Sequence, residues 1–201
     1  MIIYGAGGFG REVRADFGSN GVQFADDELW PPEQWPDGSN FIVAVGDPKK
    51  REEMTRRALA YRHRLVSHVS KRATCRVDIG EGSMIMPGAV LTIDIRVGRG
   101  VLVNIGATVG HDCVLDDFCS IQPGANLTGR VHVGKRAYIG IGATLICRGE
   151  KLIIGDDAVV GGGSVVLHHV PAGQTVVGNP AKPLPPSPPD LSYVPFGAPY
   201  K

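Results

Sequence analysis

Two adjacent side chains near the middle of the chain have the makings of a proton-transfer pair. His111 and Asp112 follow Gly110. An imidazole is the side chain best suited to accept a proton near neutrality, and a neighbouring carboxylate can strengthen it and fix its tautomer. A surface turn that happens to carry His next to Asp is the plain alternative. His168 and His169 are internal rivals, while His132 and His68 stand alone. At the front of the chain, Gly5-Ala6-Gly7-Gly8-Phe9-Gly10 satisfies G-x-G-x-x-G, a turn whose backbone N–H groups can face a phosphate. A glycine turn that merely joins strand to helix is the alternative there.

The elements that must position these residues follow a six-residue period. From Ile79 in steps of six come Ile85, Leu91, Val97, Val103, Val109, Leu115, Ile121, Leu127, Val133, Ile139 and Leu145, all aliphatic. Four residues after each runs a second series of mostly small or β-branched residues, from Ser83 and Ala89 to Ala143, which turns Cys113 and Cys119 inward. Such a period fits neither a helix nor a hairpin ladder, but it fits a coil of short parallel strands. Met86-Pro87-Gly88-Ala89 recurs in kind at Asn104, Gln122 and Gly140, so one coil takes 18 residues and three sides. The period slips once after Leu145, so three extra residues must loop out within Cys147 to Ile153. The pattern fades after Val170-Pro171. On this clock His111 and Asp112 fall outside both inward series and are accessible. His168 and His169 occupy the same slots three coils on, roughly 14 Å away. His132 and His168 are 36 residues apart, or 33 without the slip, so they share no column and no metal site is expected.

The front of the chain has a different pattern. A strand over Met1–Tyr4, a helix carrying Val13 and Phe17, a strand leading into Asp26-Asp27, and a continuous apolar run Phe41–Val45 form a βαβ-type beginning. Asp47 and Pro48 supply an N-cap and first-turn proline for a helix from about Pro48 to Tyr61. Only about 60 residues precede the coil, room for one nucleotide and not for a dinucleotide. The basic cluster Lys49, Lys50, Arg51, Arg56 and Arg57 reads as a solvated helix face. The organisation expected is therefore residues 1–64 as a small α/β domain, Rossmann-like and half-size, 65–182 as a β-helix of hexapeptide repeats, and 183–201 as a Pro-rich extended tail. Seven of the last nineteen residues are proline.

Composition narrows the function classes. With 21 Lys and Arg against 20 Asp and Glu, the net charge is +1, which gives no field to gather nucleic acid or anionic membrane. No apolar run approaches the length of a spanning helix, and the start has neither a basic segment nor an apolar one of a leader, so a cytoplasmic location without membrane is expected. The four cysteines form no CxxC pair and read as reduced thiols. Glycine, 28 of 201 residues, is about twice its usual share, as expected of a fold made of tight turns.

Several segments taken together resemble one family. Ile3-Tyr4-Gly5-Ala6-Gly7-Gly8-Phe9-Gly10-Arg11-Glu12-Val13, Val43-Ala44-Val45-Gly46-Asp47 with Arg51, Gly110-His111-Asp112, Gly161-Gly162-Gly163-Ser164 and Gly178-Asn179-Pro180-Ala181-Lys182 are similar, in order over residues 1–182, to the sugar O/N-acyltransferases of the sialic acid O-acetyltransferase and bacillosamine N-acetyltransferase type. The resemblance implies a left-handed parallel β-helix assembled as a homotrimer. It implies acetyl-CoA as co-substrate in the groove between neighbouring helices, and a nucleotide-linked sugar held by the front domain. By the same resemblance His111 is the general base, supported by Asp112. Asn104 contacts the sugar, as Gly7, Gly8, Phe9, Asp26, Asp27 and Gly46 hold its nucleotide part. Gly129, Ile141, Gly161, Gly162 and Lys182 lie along CoA. Ser120 stands where many relatives carry a histidine facing the thioester, so that contact would be shortened or lost. The link from Val13 to Asp26 is shorter than usual, and Leu29–Asp37 holds two Trp and three Pro where a simpler loop is usual.

The resulting expectation is N-acetylation of an amino group on a nucleotide-linked sugar. An amine near neutrality in pKa is an easier nucleophile for one His-Asp pair than a sugar hydroxyl is. O-acetylation, and a catalytically silent nucleotide-sugar-binding β-helix, are the alternatives.

Overall fold

The structure is a computed structural model that describes residues 1–18, 21–28 and 30–184. The tail from 185 on and Leu29 lie outside the described residues, and with them the extended-arm expectation for that tail. The front of the chain builds a small sheet of parallel strands from β1 (Ile2–Tyr4), β2 (Gln23–Ala25), β3 (Asn40–Val43) and β4 (Arg64–Leu65), in the order β2-β1-β3-β4. Helix α1 (Gly8–Phe17) follows β1, and α2 (Pro48–Ala60) follows β3. Two glycines make the first connection possible. Gly5 has φ +119° with Ala44 O 2.9 Å from where a Cβ would sit, and a Cβ at Gly10 would collide with the Gly5 carbonyl. Asp47 caps α2 by accepting from Lys50 N at 2.8 Å.

Every residue of β1 is buried, because the sheet is covered on both faces. Ile2, Tyr4, Phe41 and Val43 pack with Trp35 and with Met54 and Ala58 of α2. Ile3 and Ile42 pack with Val13 of α1 and with Met84, Met86 and Leu102 of the coil. The last three are apolar side chains that point out of the coil. They mark where the front sheet docks.

The remainder is a three-sided parallel coil. Its first face stacks His68–Val69, Met84–Ile85, Leu102–Val103, Ser120–Ile121, Tyr138–Ile139, Val159–Val160 and Thr175–Val177. The second stacks Thr74–Cys75, Val90–Leu91, Thr108–Val109, Asn126–Leu127, Thr144–Leu145 and Val165–Val166. The third stacks Arg96–Val97, Val114–Leu115, Val131–Val133 and Leu152–Ile154. From Ile85 to Ile139 the register advances by 18 at each step, so every aliphatic of the period lies over its equivalent. These columns form one buried core, each side chain contributing roughly 1.5–3 kcal/mol on burial. Cys113 and Cys119 sit within it, and burial pushes both thiols up.

The period is less regular at its ends than the sequence suggests. The expected slip occurs between Leu145 and Leu152, where 149–151 are exposed. The coil extends beyond the regular six-residue series at both ends, with His68↔Met84 16 residues apart before it and Val160↔Val176 again 16 apart after it. Turns shortened by two residues keep the strands in register while hiding the repeat from a fixed step. Lys182–Pro183 then pairs antiparallel with Val176 and Val177. Proline is tolerated there because an edge strand needs no further N–H. Among the described residues no helix is long and apolar enough to cross a membrane.

Candidate active site

The three faces meet at three corners, and each corner has its own turn chemistry. The corner from first to second face takes a left-handed residue once per coil, supplied by Gly88, Gly106, Gly124, Gly142 and Gly163 at φ +64° to +72°. At the corner from second to third face the same slot holds Asp94, Asp112 and Arg130, at φ 53°, 57° and 62°. Aspartate tolerates this conformation better than most residues, so Asp112 has a backbone reason to be there as well as a chemical one. The residue before it, His111, points outward with its side chain 56% exposed.

The geometry of His111 is that of an oriented base. Nδ1 lies 2.6 Å from Asp112 Oδ2, a pairing that puts a proton between the two and turns Nε2 away from the carboxylate. The ring lies over Gly129, one coil on, where a Cβ would collide with Cε1 and Nε2. Gly129 is thus required by the histidine rather than by its own backbone. Three other histidines are committed elsewhere, while His168 is exposed. His169 Nδ1 accepts from Ile153 N at 2.9 Å, His132 Nε2 pairs with Asp116 at 2.6 Å on the third face, and His68 Nε2 pairs with Asp16 at 2.6 Å beneath α1.

The first corner gathers a second group. Asn104 is buried, its Oδ1 accepting from Ile105 N at 2.7 Å. Gln122 lies one coil beyond it and Ile141, 60% exposed, one coil further. Gly161 and Gly162 follow. A Cβ on Gly162 would lie 3.3 Å from Ile141 O, and one on Gly161 would press on Val177 of the terminal hairpin, where Lys182 is exposed. Gly46 meets this corner from the front sheet.

The junction corrects two expectations. Arg51 is not on a solvated face but wholly buried, the one member of the basic cluster so placed. Its guanidinium donates to Gly100 O at 2.9 Å, Val45 O at 2.9 Å, Gly46 O at 3.2 Å, Phe118 O at 2.7 Å, Cys119 O at 3.1 Å and Ser120 Oγ at 2.9 Å. Burial pushes its pKa down to about 10, so it stays charged at neutral pH, neutralised by carbonyl dipoles. Ser120 is likewise fully buried, donating to Gly46 O at 3.0 Å. It is bound into the junction and has no surface to offer a thioester.

The front cleft, about 650 Å³, is lined by Gly7, Gly8, Phe9, Asp26 and Asp27, with Lys50 across from them. Unlike Gly5 and Gly10, Gly7 has nothing within reach of a Cβ, and Gly8 only the tip of Arg11 at 3.8 Å, so packing does not demand glycine at either. Gly7 caps α1 without a side-chain bond and no acidic residue follows in the first turn, which leaves the N–H groups of that turn open to the cleft. Asp27 is held by the Tyr4 hydroxyl and by Arg57 at 2.7 Å, and burial followed by Asp27 pushes the Tyr4 phenol up. Lys50 and Arg51 were hidden by their place in a charged run. Their signal was the helical step, which turns residues three or four past the Asp47 cap back toward the sheet.

Within one chain these groups do not meet. The front sheet covers the first face, and His111 stands on the corner opposite that face. The first corner and the His111 corner are the two edges of the second face. The outward residues of that face's strands are Thr74, Val90, Thr108, Asn126, Thr144 and Val165, none of them charged, whereas those of the third face are Arg96, Val114, His132 and Ile153.

No family model matches the sequence. Among curated proteins, GDP-perosamine N-acetyltransferase of Escherichia coli O157:H7 is 32% identical over 173 residues, 74% of this chain and 69% of that protein. A serine acetyltransferase of Synechococcus elongatus is 33% identical over 126 residues, 59% of this chain, which spans only 46% of that protein's length. Among solved structures, a histidine-to-asparagine mutant of perosamine N-acetyltransferase from Caulobacter crescentus, in complex with CoA and GDP-perosamine, superposes with a TM-score of 0.81 at 31% identity, covering 91% of this chain and 95% of that one. The chain belongs to the hexapeptide-repeat sugar acyltransferase family.

Proposed function

We propose that the protein is an acetyl-CoA-dependent N-acetyltransferase acting on an amino group of a nucleotide-linked sugar, with His111 as general base. The observation that carries the reading is the state of the His111 ring, tied by Asp112 at Nδ1 and presenting Nε2 above Gly129. The likeness to an enzyme solved with CoA and GDP-perosamine supports the two substrates. Acetyl-CoA supplies the acyl group as a thioester. His111 Nε2 takes a proton from the sugar nitrogen as that nitrogen bonds the acyl carbon, the C–S bond breaks, and the thiolate leaves to be protonated. A backbone N–H near Gly129 or Ile141 meets the charge that develops on the acyl oxygen. Asp112 keeps the ring in the required tautomer.

The active unit is a homotrimer of left-handed coils. Three copies about an axis parallel to the coil, with uncharged second faces inward, put the first corner of each against the His111 corner of the next. That joins Asn104, Ile141, Gly162 and the front cleft of one chain to His111 and Gly129 of its neighbour. In the cleft, Gly7, Gly8, the open first turn of α1 and Lys50 receive the diphosphate, and Asp26 and Asp27 the nucleoside. Lys182, exposed at the end of the coil, suits the nucleotide end of CoA.

Purified protein mixed with acetyl-CoA and a panel of nucleotide-linked amino sugars tests the reading through thiol release. An amide product survives mild base and an O-acetyl ester does not, so a base-labile product from the best substrate would replace N- by O-transfer. A silent binder would release no thiol while still binding nucleotide. Light scattering that gave a 21.3 kDa monomer at micromolar concentration would remove the composite site.

A further inference from the structure

Gln122 stands in the same corner column as Asn104, between it and Gly140, and nothing in the fold explains its side chain. Its backbone is accounted for, with N donating to Ile139 O at 2.9 Å and O accepting from Ala125 N at 3.1 Å. The side chain is not. The residue is 7% exposed, and Nε2 is buried with no hydrogen-bond partner among the described residues. That nitrogen faces Gly46, 4.0 Å from where a Cβ would be. The Gly46 carbonyl is already occupied by Arg51 and Ser120, at 3.2 and 3.0 Å. A buried donor left unpaired destabilises the fold, and the copies of this slot at Met86 and Gly140 show that the coil folds without an amide there. Among the described residues two other buried atoms lack a hydrogen-bond partner: His63 Nδ1, in a ring whose Nε2 is bonded to Pro32 O at 2.8 Å, and Arg99 Nε, which itself lies 3.9 Å from the Glu81 carboxylate.

We propose that Gln122 is a specificity-determining residue, whose Nε2 donates a hydrogen bond to a hydroxyl oxygen of the acceptor sugar where the front cleft meets the first corner. The inference rests on the nucleotide-linked sugar reading above. Gly46, with no side chain of its own, faces the amide, and Asn104 holds the adjacent position on the same column. A donor pre-set in a dry corner rejects a sugar lacking the matching oxygen, because the amide then stays unpaired.

The test measures kcat/KM for the best nucleotide-linked sugar and for its single-deoxy analogues, with wild type and with Gln122→Met, which keeps the shape and removes the donor. Thermal stability and the KM for acetyl-CoA are followed in parallel. Wild type should lose about 10- to 100-fold on one deoxy analogue. Gln122→Met should lose a similar factor on the parent sugar, show no further loss on that analogue, and keep the acetyl-CoA KM. If Gln122→Met retains the wild-type discrimination across the analogues, the proposal is overturned, and a change in melting temperature alone would assign the amide a purely structural role. If wild type acetylates no nucleotide-linked sugar, the acceptor reading fails and this inference falls with it. Should Gln122→Met fail to fold, Gln122→Ser carries the same comparison with the same outcomes.

Discussion

The two edges of the uncharged face satisfy their polar groups in opposite ways. At the His111 corner every partner is close in sequence or one coil away, with Asp112 adjacent and Gly129 beneath the ring, and the histidine remains half exposed. At the first corner and the junction behind it, the groups are buried and their partners distant. Arg51 on α2 reaches carbonyls near Gly100 and Phe118, and Ser120 reaches Gly46. An exposed corner can carry a base that must meet a changing partner, whereas a buried corner must have every polar group paired or reserved for a ligand. The same coil provides both because a second layer covers one face only.

The contrast predicts different failures. His111→Ala should lower kcat by roughly 10²- to 10⁴-fold with little change in acetyl-CoA affinity and no loss of fold, while His168→Ala stays mild. Steady-state kinetics of the two variants would move the choice to the turn three coils on if their ranking were opposite. Arg51→Leu should do the reverse, costing about 3–5 kcal/mol in chemical denaturation, because six acceptors across the junction each lose a donor in a dry site and only Gly46 O and Cys119 O keep another among the described residues. A variant as stable as wild type would mean the junction relaxes to admit water. Gly129→Ala should leave stability nearly intact and lower kcat by about ten- to hundredfold, since the new methyl must displace the imidazole. Unchanged kcat there would show that the observed ring position is not the working one.

The smallest effect expected concerns pH. Burial alone would raise the Asp16 carboxyl, but hydrogen bonds from His68, Ser70 and Arg72 outweigh it and hold the group below its ordinary value of 3.8. A depressed carboxylate contributes stability above its unfolded pKa and loses it as pH falls through the folded one. The docking of α1 on the first coil should therefore weaken by roughly 1–2 kcal/mol as pH drops below about 4, and Asp16→Asn should flatten that part of the profile. Thermal melts of both proteins from pH 3 to 7 measure it.

Particular residues show what could be read from the chain. The six-residue series named the interior from Ile79 to Leu145, and the same clock placed His111 outward, as it is. Asp47-Pro48 fixed the start of α2. The period failed at Val176 because shortened turns keep stacking but not spacing. Arg51 and Ser120 were misread for a shared reason. Each looked like a surface residue of its own element, and only the docking of the front sheet on the first face removed the solvent from both.

The sequence by itself therefore determined the coil, its corners and the character of each corner, since a repeat of six places every side chain inward or outward by local backbone geometry alone. Tertiary structure decided which outward residues stay outward. Met84, Met86 and Leu102 became core, Arg51 became the tie between front sheet and coil, and Gln122 became a buried donor facing Gly46. Those outcomes depend on which face the front sheet covers, a contact between residues some 50 to 80 apart, and burial by a distant layer leaves no period in the chain.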